Sequence, residues 1–231
     1  MNSRFSLFAG AAAAALVLSM LPASAITITI TPTGTSFGTL ANATFGGSGI
    51  PNDAVQITTI GNLTLGLTAT ARYANDPVTN DGNGTFYAQA GGDVLDSAPA
   101  YAKWNFDYYI NGLNGTNQAV YFFWDTDPAV GNDVPWTFAT YPSVSYPIAS
   151  QDSWNLGFQA LGLGHVAFNP DASGEYGFAL VAFDLAGNEL GRSAIIVNVG
   201  SSPPIPDGGS TVLLLGGALV AGVALRRRLT R

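Results

Sequence analysis

The chain has 231 residues with no cysteine, one histidine, and 15 acidic against 8 basic side chains, a formal charge of −7. The missing thiols exclude a disulfide framework, a thiolate metal site and a cysteine nucleophile. The negative balance repels phosphate backbones and argues against nucleic acid as a partner.

The first element is a leader. Arg4 gives a positive start, residues 7–20 an apolar run, and Pro22-Ala23-Ser24-Ala25 a small-residue cleavage site. This predicts a secretory signal peptide over residues 1–25, with Ala23 and Ala25 at the cleavage positions. The body then runs over residues 26–200, long enough for one domain with a substantial core. Residues 26–205 hold 14 of the acidic residues but only Arg72, Lys103 and Arg192 of the basic ones; fourteen minus three leaves eleven net negative charges.

Within the body, period-two alternation prevails over helical periodicity. Strands are predicted over residues 26–31, 55–60, 63–72 and 85–90. Leu63, Leu65, Leu67, Ala69 and Ala71 form one apolar face of the third of these. A further strand covers 104–111, where Trp104, Phe106, Tyr108 and Ile110 alternate with polar residues. The turn-rich stretch after Asn111 predicts a hairpin to a strand over 118–124. Four prolines between residues 125 and 147 predict loops or edge structure there. Strands over 154–160, 176–184 and 189–199 complete the set. The sequence Asp171-Ala172-Ser173-Gly174-Glu175-Tyr176 resembles the tyrosine corner of immunoglobulin-like domains, and residues 184–189 read as the last hairpin loop. The expected fold class is all-β, an antiparallel β-sandwich of immunoglobulin-like or jelly-roll-like kind.

Candidate sites are few. Asp76 and Asp81 lie in an Asn/Asp/Gly loop, and Asp125 and Asp127 in a second acidic loop. Both are weak calcium candidates, because oxygen ligands and glycine turns suit calcium, but neither has the loop spacing of an EF-hand and both also read as plain turns. Trp136, Tyr141 and Tyr146, in the proline-rich stretch, are either sugar-stacking aromatics or loop anchors packed on the core. His165 lacks a G-x-S-x-G partner, and the glutamates Glu175 and Glu189 fall beside turns, so no catalytic set and no cofactor site is expected.

The chain ends in three distinct pieces. Residues 201–205 form a Ser/Pro linker, stiff enough to act as a spacer. Then follow Pro206-Asp207-Gly208-Gly209-Ser210, an apolar run over 211–225, and Arg226-Arg227-Arg228. The run is predicted to form a transmembrane helix, because a helix satisfies its own backbone polar groups in hydrocarbon, and the arginines hold its end on the cytoplasmic side. A 15-residue helix rises only ~22 Å against a hydrocarbon core of ~30 Å. A sorting signal that is recognised and processed and a short tail anchor both fit that length.

This arrangement, with a cleavable leader at the other end, resembles the PEP-CTERM class of bacterial surface proteins, and within it the VPDSG-CTERM variant. Ile205 stands where that variant usually has Val, and Gly208 where it often has Ser. The resemblance covers about a tenth of the chain. It implies an exosortase, a membrane-embedded cysteine transpeptidase, as a partner. It also implies Pro206, Asp207, Gly208, Gly209 and Ser210 as the recognised motif, Arg226 to Arg228 as the cytoplasmic stop, and a link between export and exopolysaccharide. The resulting expectation is an exported, non-enzymatic surface or matrix protein, anchored in the inner membrane before processing, with a structural or adhesive role. A carbohydrate-binding module is the alternative, and an enzyme acting on polysaccharide comes third.

Overall fold

Strands rich in aromatic and β-branched residues, punctuated by glycine, build the whole of the described structure. A computed structural model describes residues 27–93, 95, 101–112, 118–129, 131, 133–135, 139–140, 150–158 and 168–201. The chain divides after Ser201, and every described residue belongs to the first unit. The predicted signal peptide, the linker beyond Ser201 and the C-terminal sorting segment lie outside the described residues. Among the described residues no helix is long and apolar enough to cross a membrane.

The described residues form thirteen strands: β1 (Thr27–Thr29), β2 (Ser36–Gly38), β3 (Val55–Ile60), β4 (Leu63–Ala71), β5 (Thr79–Asn80), β6 (Thr85–Ala88), β7 (Trp104–Asn111), β8 (Gln118–Asp125), β9 (Asp133–Pro135), β10 (Ala139–Thr140), β11 (Ser150–Trp154), β12 (Gly174–Asp184) and β13 (Glu189–Val199). One sheet has the order β11-β7-β4-β3-β2 and is antiparallel throughout. The second has the order β10-β8-β12-β13-β6-β5, and β1 pairs separately with β9. The two larger sheets are consistent with a β-sandwich. Their facing side chains form one core: Leu63, Leu65 and Leu67 of β4 and Phe106 and Tyr108 of β7 meet Phe122 of β8, Phe178 and Leu180 of β12 and Ile195 of β13. Phe106 stacks on Phe178 with ring centroids 4.3 Å apart. Hydrogen bonds also cross between the sheets, from Thr58 Oγ1 to the Arg192 carbonyl and from Ser193 Oγ to the Gln56 carbonyl.

Both outer faces are covered as well. Ile28 and Ile30 lie on the back of the six-stranded sheet against Tyr121, Phe123, Val181, Phe183 and Ile196. On the back of the five-stranded sheet, Ala43 and Phe45 pack on Val55 and Tyr109. This explains why β12 is apolar on both faces, with Phe178 through Phe183 all buried.

Three expectations need correction. The strands over 104–111 and 118–124 are present, but they are not a hairpin. β7 belongs to the five-stranded sheet and β8 to the six-stranded one, so the chain arches across the core between them. The reason is the aromatic face of each strand: Phe106 and Phe122 stack at 5.6 Å across the core instead of standing side by side. Gly112 starts the arch at φ +81, where an added Cβ would lie 1.9 Å from the Asn62 carbonyl oxygen. The sheets are also not purely antiparallel, because β6 runs parallel to β13 after crossing from the other sheet. Finally, the strand expected over 154–160 lies earlier, at Ser150–Trp154, since Asn155 turns the chain by accepting the Gly157 amide and releasing its carbonyl to the Phe158 amide.

The tyrosine corner is present. Tyr176 Oη donates to the Ala172 carbonyl at 3.1 Å, and its ring packs on Trp104 and Phe168. The last hairpin loop is closed by Asp184, whose Oδ1 accepts the Ala186 and Asn188 amides.

Candidate functional site

Beyond Ala71 the β4–β7 ladder continues for one residue, the Arg72 amide donating to the Lys103 carbonyl. The segment around Gly91–Asp93 pairs on the far side of residues 101–103: the Lys103 amide donates to the Gly91 carbonyl and the Asp93 amide to the Tyr101 carbonyl. Arg72 and Asp93 are thereby brought together. Arg72 Nε donates to Asp93 Oδ2 at 2.9 Å, and both side chains are buried. Asn75 Nδ2 and the Leu95 amide donate to Asp93 Oδ1. Burial pushes the Asp93 carboxyl up. Hydrogen bonds from Asn75, the Leu95 amide and Arg72, with the Arg72 charge, outweigh it and hold the group below its ordinary range.

Aromatic rings enclose the guanidinium. Its carbon lies 4.6 Å from the Tyr73 centroid, 4.9 Å from Tyr101 and 5.4 Å from Phe158. Tyr101 and Phe158 meet edge to face at 5.3 Å. Asn155, fully buried, fixes Phe158's loop to the sheet by accepting the Ala102 amide and donating to the Ala102 and Trp104 carbonyls.

Tyr73 is the unusual member. It is 68% exposed and adopts φ +51, a left-handed conformation that is an outlier for a bulky side chain. Lys103, opposite Arg72 in the ladder and half-buried, lays its stem over Gly91; a Cβ on that glycine, at φ +120, would lie 3.1 Å from Lys103 Cε. Among the described residues Lys103 has no ion-pair partner. Chemically, this corner presents an exposed aromatic ring over Arg72, with Lys103 the residue paired to Arg72 in the ladder.

A second ionisable group lies inside the five-stranded sheet's outer layer. Asp107 on β7 has no exposed surface. Its Oδ2 accepts Thr70 Oγ1 at 2.7 Å, while Oδ1 is buried with no hydrogen-bond partner. Burial pushes its pKa up to about 7, against the lowering effect of the Ser153 and Thr70 hydroxyls and with a smaller push from the Asp152 charge. No substrate can touch it.

The four acidic calcium candidates are all described, and three of them close local turns. Asp81 Oδ1 accepts the Asn83 and Thr85 amides, Asp125 Oδ1 the Asp127 amide, and Asp127 Oδ1 the Ala129 amide. Asp76 is exposed. Burial raises the Asp125 pKa, helped by the charges of Asp127 and Glu175. Among the described residues no three Asp, Glu or His side chains gather as a metal site. Trp136, Tyr141, Tyr146 and His165 lie outside the described residues, as do Ala23, Ala25, Pro206 to Ser210 and Arg226 to Arg228. Trp104 and Trp124 are core, as strand residues should be.

Sequence reasoning did not find the Arg72 corner. Its one available signal was that two of the body's three basic residues follow or precede a strand end, at Ala71 and Trp104. No family model matches this chain, and no curated protein or solved structure matches it.

Proposed function

We propose that this is an exported bacterial surface or matrix protein, sorted through its C-terminal signal and structural or adhesive in role. The observation that carries the reading is the paired design of the two ends. A leader with Ala23 and Ala25 at its cleavage positions stands before the body. After it come Pro206-Asp207-Gly208-Gly209-Ser210, an apolar run and Arg226 to Arg228. The leader routes the chain out, the run is held in the inner membrane by the arginine stop, and the motif before it is read by an exosortase-type transpeptidase. The body would then be released to the cell surface or the exopolysaccharide layer.

Features of the body support this role. A cysteine-free chain with both sheet faces covered draws its stability from packing, which suits an exported location without needing a disulfide. The net negative body keeps itself soluble and off anionic lipid. The immunoglobulin-like variant of the sandwich is favoured over the jelly roll by the Tyr176 corner.

The test is in the tail. Replacing Pro206, Asp207 and Gly208 with alanine should leave membrane insertion intact and block processing in a host carrying the cognate exosortase, seen as accumulation of the longer form on a gel. Normal maturation of that variant would remove the sorting role.

A further inference from the structure

Among the described residues three non-glycine residues have φ in the left-handed region: Phe45 at +48, Ala54 at +65 and Tyr73 at +51. Each costs roughly 1–3 kcal/mol, and such strain persists only where something offsets it. Phe45 offsets it by burying its whole ring on Val55 and Tyr109. Ala54 packs against the main core, its amide held by Asp53 and its carbonyl by Thr68. Tyr73 lacks such burial: its ring is mostly in water, with the Arg72 guanidinium 4.6 Å from its centroid. Tyr101 and Phe158 also flank the guanidinium, so Tyr73 is not its sole cover. The fold therefore holds a strained aromatic outward, on a base made rigid by the buried Arg72–Asp93 pair.

We propose that Tyr73 and Lys103 form a binding site for an acidic sugar ring, Tyr73 stacking on the ring's C–H face and Lys103 receiving its carboxylate. The site rests on the reading above, in which the body meets polysaccharide. A shallow aromatic step suits a pyranose, whose hydroxyls stay in water while one face loses it. A lipid tail or an apolar peptide would need a groove instead. The charge pattern selects an acidic ring over a neutral one. In a body with eleven net negative charges, Arg72 and Lys103 are two of three cations, and Arg72 is neutralised by Asp93. Lys103 is left as the local attraction for an anion, its stem placed by the missing side chain of Gly91. Nothing chemical happens to the ligand; it is held.

The test is calorimetric titration of the full chain, in zwitterionic detergent, with oligogalacturonate as the acidic probe and maltoheptaose as the neutral one. The wild type should bind oligogalacturonate in preference to maltoheptaose, and more weakly as salt rises. Tyr73→Gly should weaken binding by about fivefold or more. Its unfolding midpoint should hold or rise, because glycine relieves the positive φ. Tyr73→Phe, which keeps the ring face, should stay within about twofold. Lys103→Gln should erase the preference for the acidic probe. Wild-type binding by a folded Tyr73→Gly variant, or no binding by the wild type, overturns the site. If the tail variant blocks processing while Tyr73-dependent binding is absent, the surface-protein reading survives that failure; if Tyr73-dependent binding is found in a chain that is never sorted, the site survives and the reading does not.

Discussion

Asp107 shows how one carboxyl couples the fold to pH. It has no exposed surface, one oxygen without a partner, and a pKa pushed up to about 7 by burial. Unfolded, an aspartate titrates near ~4. The folded form thus holds a proton between about pH 4 and 7 that the unfolded chain has lost, so this group's contribution to stability is greatest at the acid end. It declines as pH rises toward 7 and is level above that, for a total on the order of 4 kcal/mol. Asp107→Asn keeps the shape and stays neutral. Urea midpoints should show the variant more stable than wild type at pH 8, close to it at pH 4, and with a flatter profile between. Equal slopes for the two proteins would mean that the charge is relieved in another way. Neither Asp107 nor the Arg72 cage was legible in the sequence. Asp107 occupies the polar register of β7 with Asn105 and Asn111, and a polar register reads as solvent-facing unless the cover over it is known. Over the neighbouring outward position, Tyr109, that cover is Ala43, Phe45 and Val55, more than fifty positions away. Tyr109 in the same register was the only local hint.

At the scale of elements, pattern located the strands and missed their partners. The bounds of β3 and β13 follow directly from alternation and flanking glycines, and β4, β7 and β8 fall within a residue or so. Pairing is another matter, because alternation states which face is apolar and not whether its neighbour lies beside it or opposite. The β7–β8 arch is that ambiguity resolved by aromatic stacking, Phe106 on Phe122 and Tyr108 on Trp154. The N-terminal segment is a similar case. β1 is only three residues long, yet Ile28 and Ile30 close the back of the six-stranded sheet, and Thr33 exchanges two backbone hydrogen bonds with Ala194. Ile30 is completely buried, so Ile30→Ala should cost about 2–5 kcal/mol, the range for a large aliphatic removed from a packed site. The urea midpoint should fall with an unchanged slope. A loss under about 0.5 kcal/mol would show the segment to be a loose flap. The position also bears on the proposed export: cleavage after Ala25, if it occurs, would leave only Ile26 ahead of β1.

For the whole molecule the governing quantity is charge. Eleven net negative charges between residues 26 and 205 repel one another in the compact state, and any salt that screens them stabilises the fold. A calcium site would act differently, by binding the folded form alone and adding RT ln(1 + [L]/Kd), ~2.7 kcal/mol at a hundredfold excess. For a domain of this size that shifts the melting temperature by about 5–10 °C. The candidate carboxylates argue for screening. Asp81 already accepts two amides on one oxygen, Asp125 and Asp127 one each, and local turns account for all three. Calcium also needs six to eight oxygens, more than either short loop gathers. Calcium and magnesium at equal ionic strength should therefore raise the melting temperature by equal amounts. A rise specific to calcium and lost in Asp125→Asn or Asp81→Asn would place a true site in that loop, and the body would then be able to bridge acidic strands through the ion as well as hold them at Tyr73.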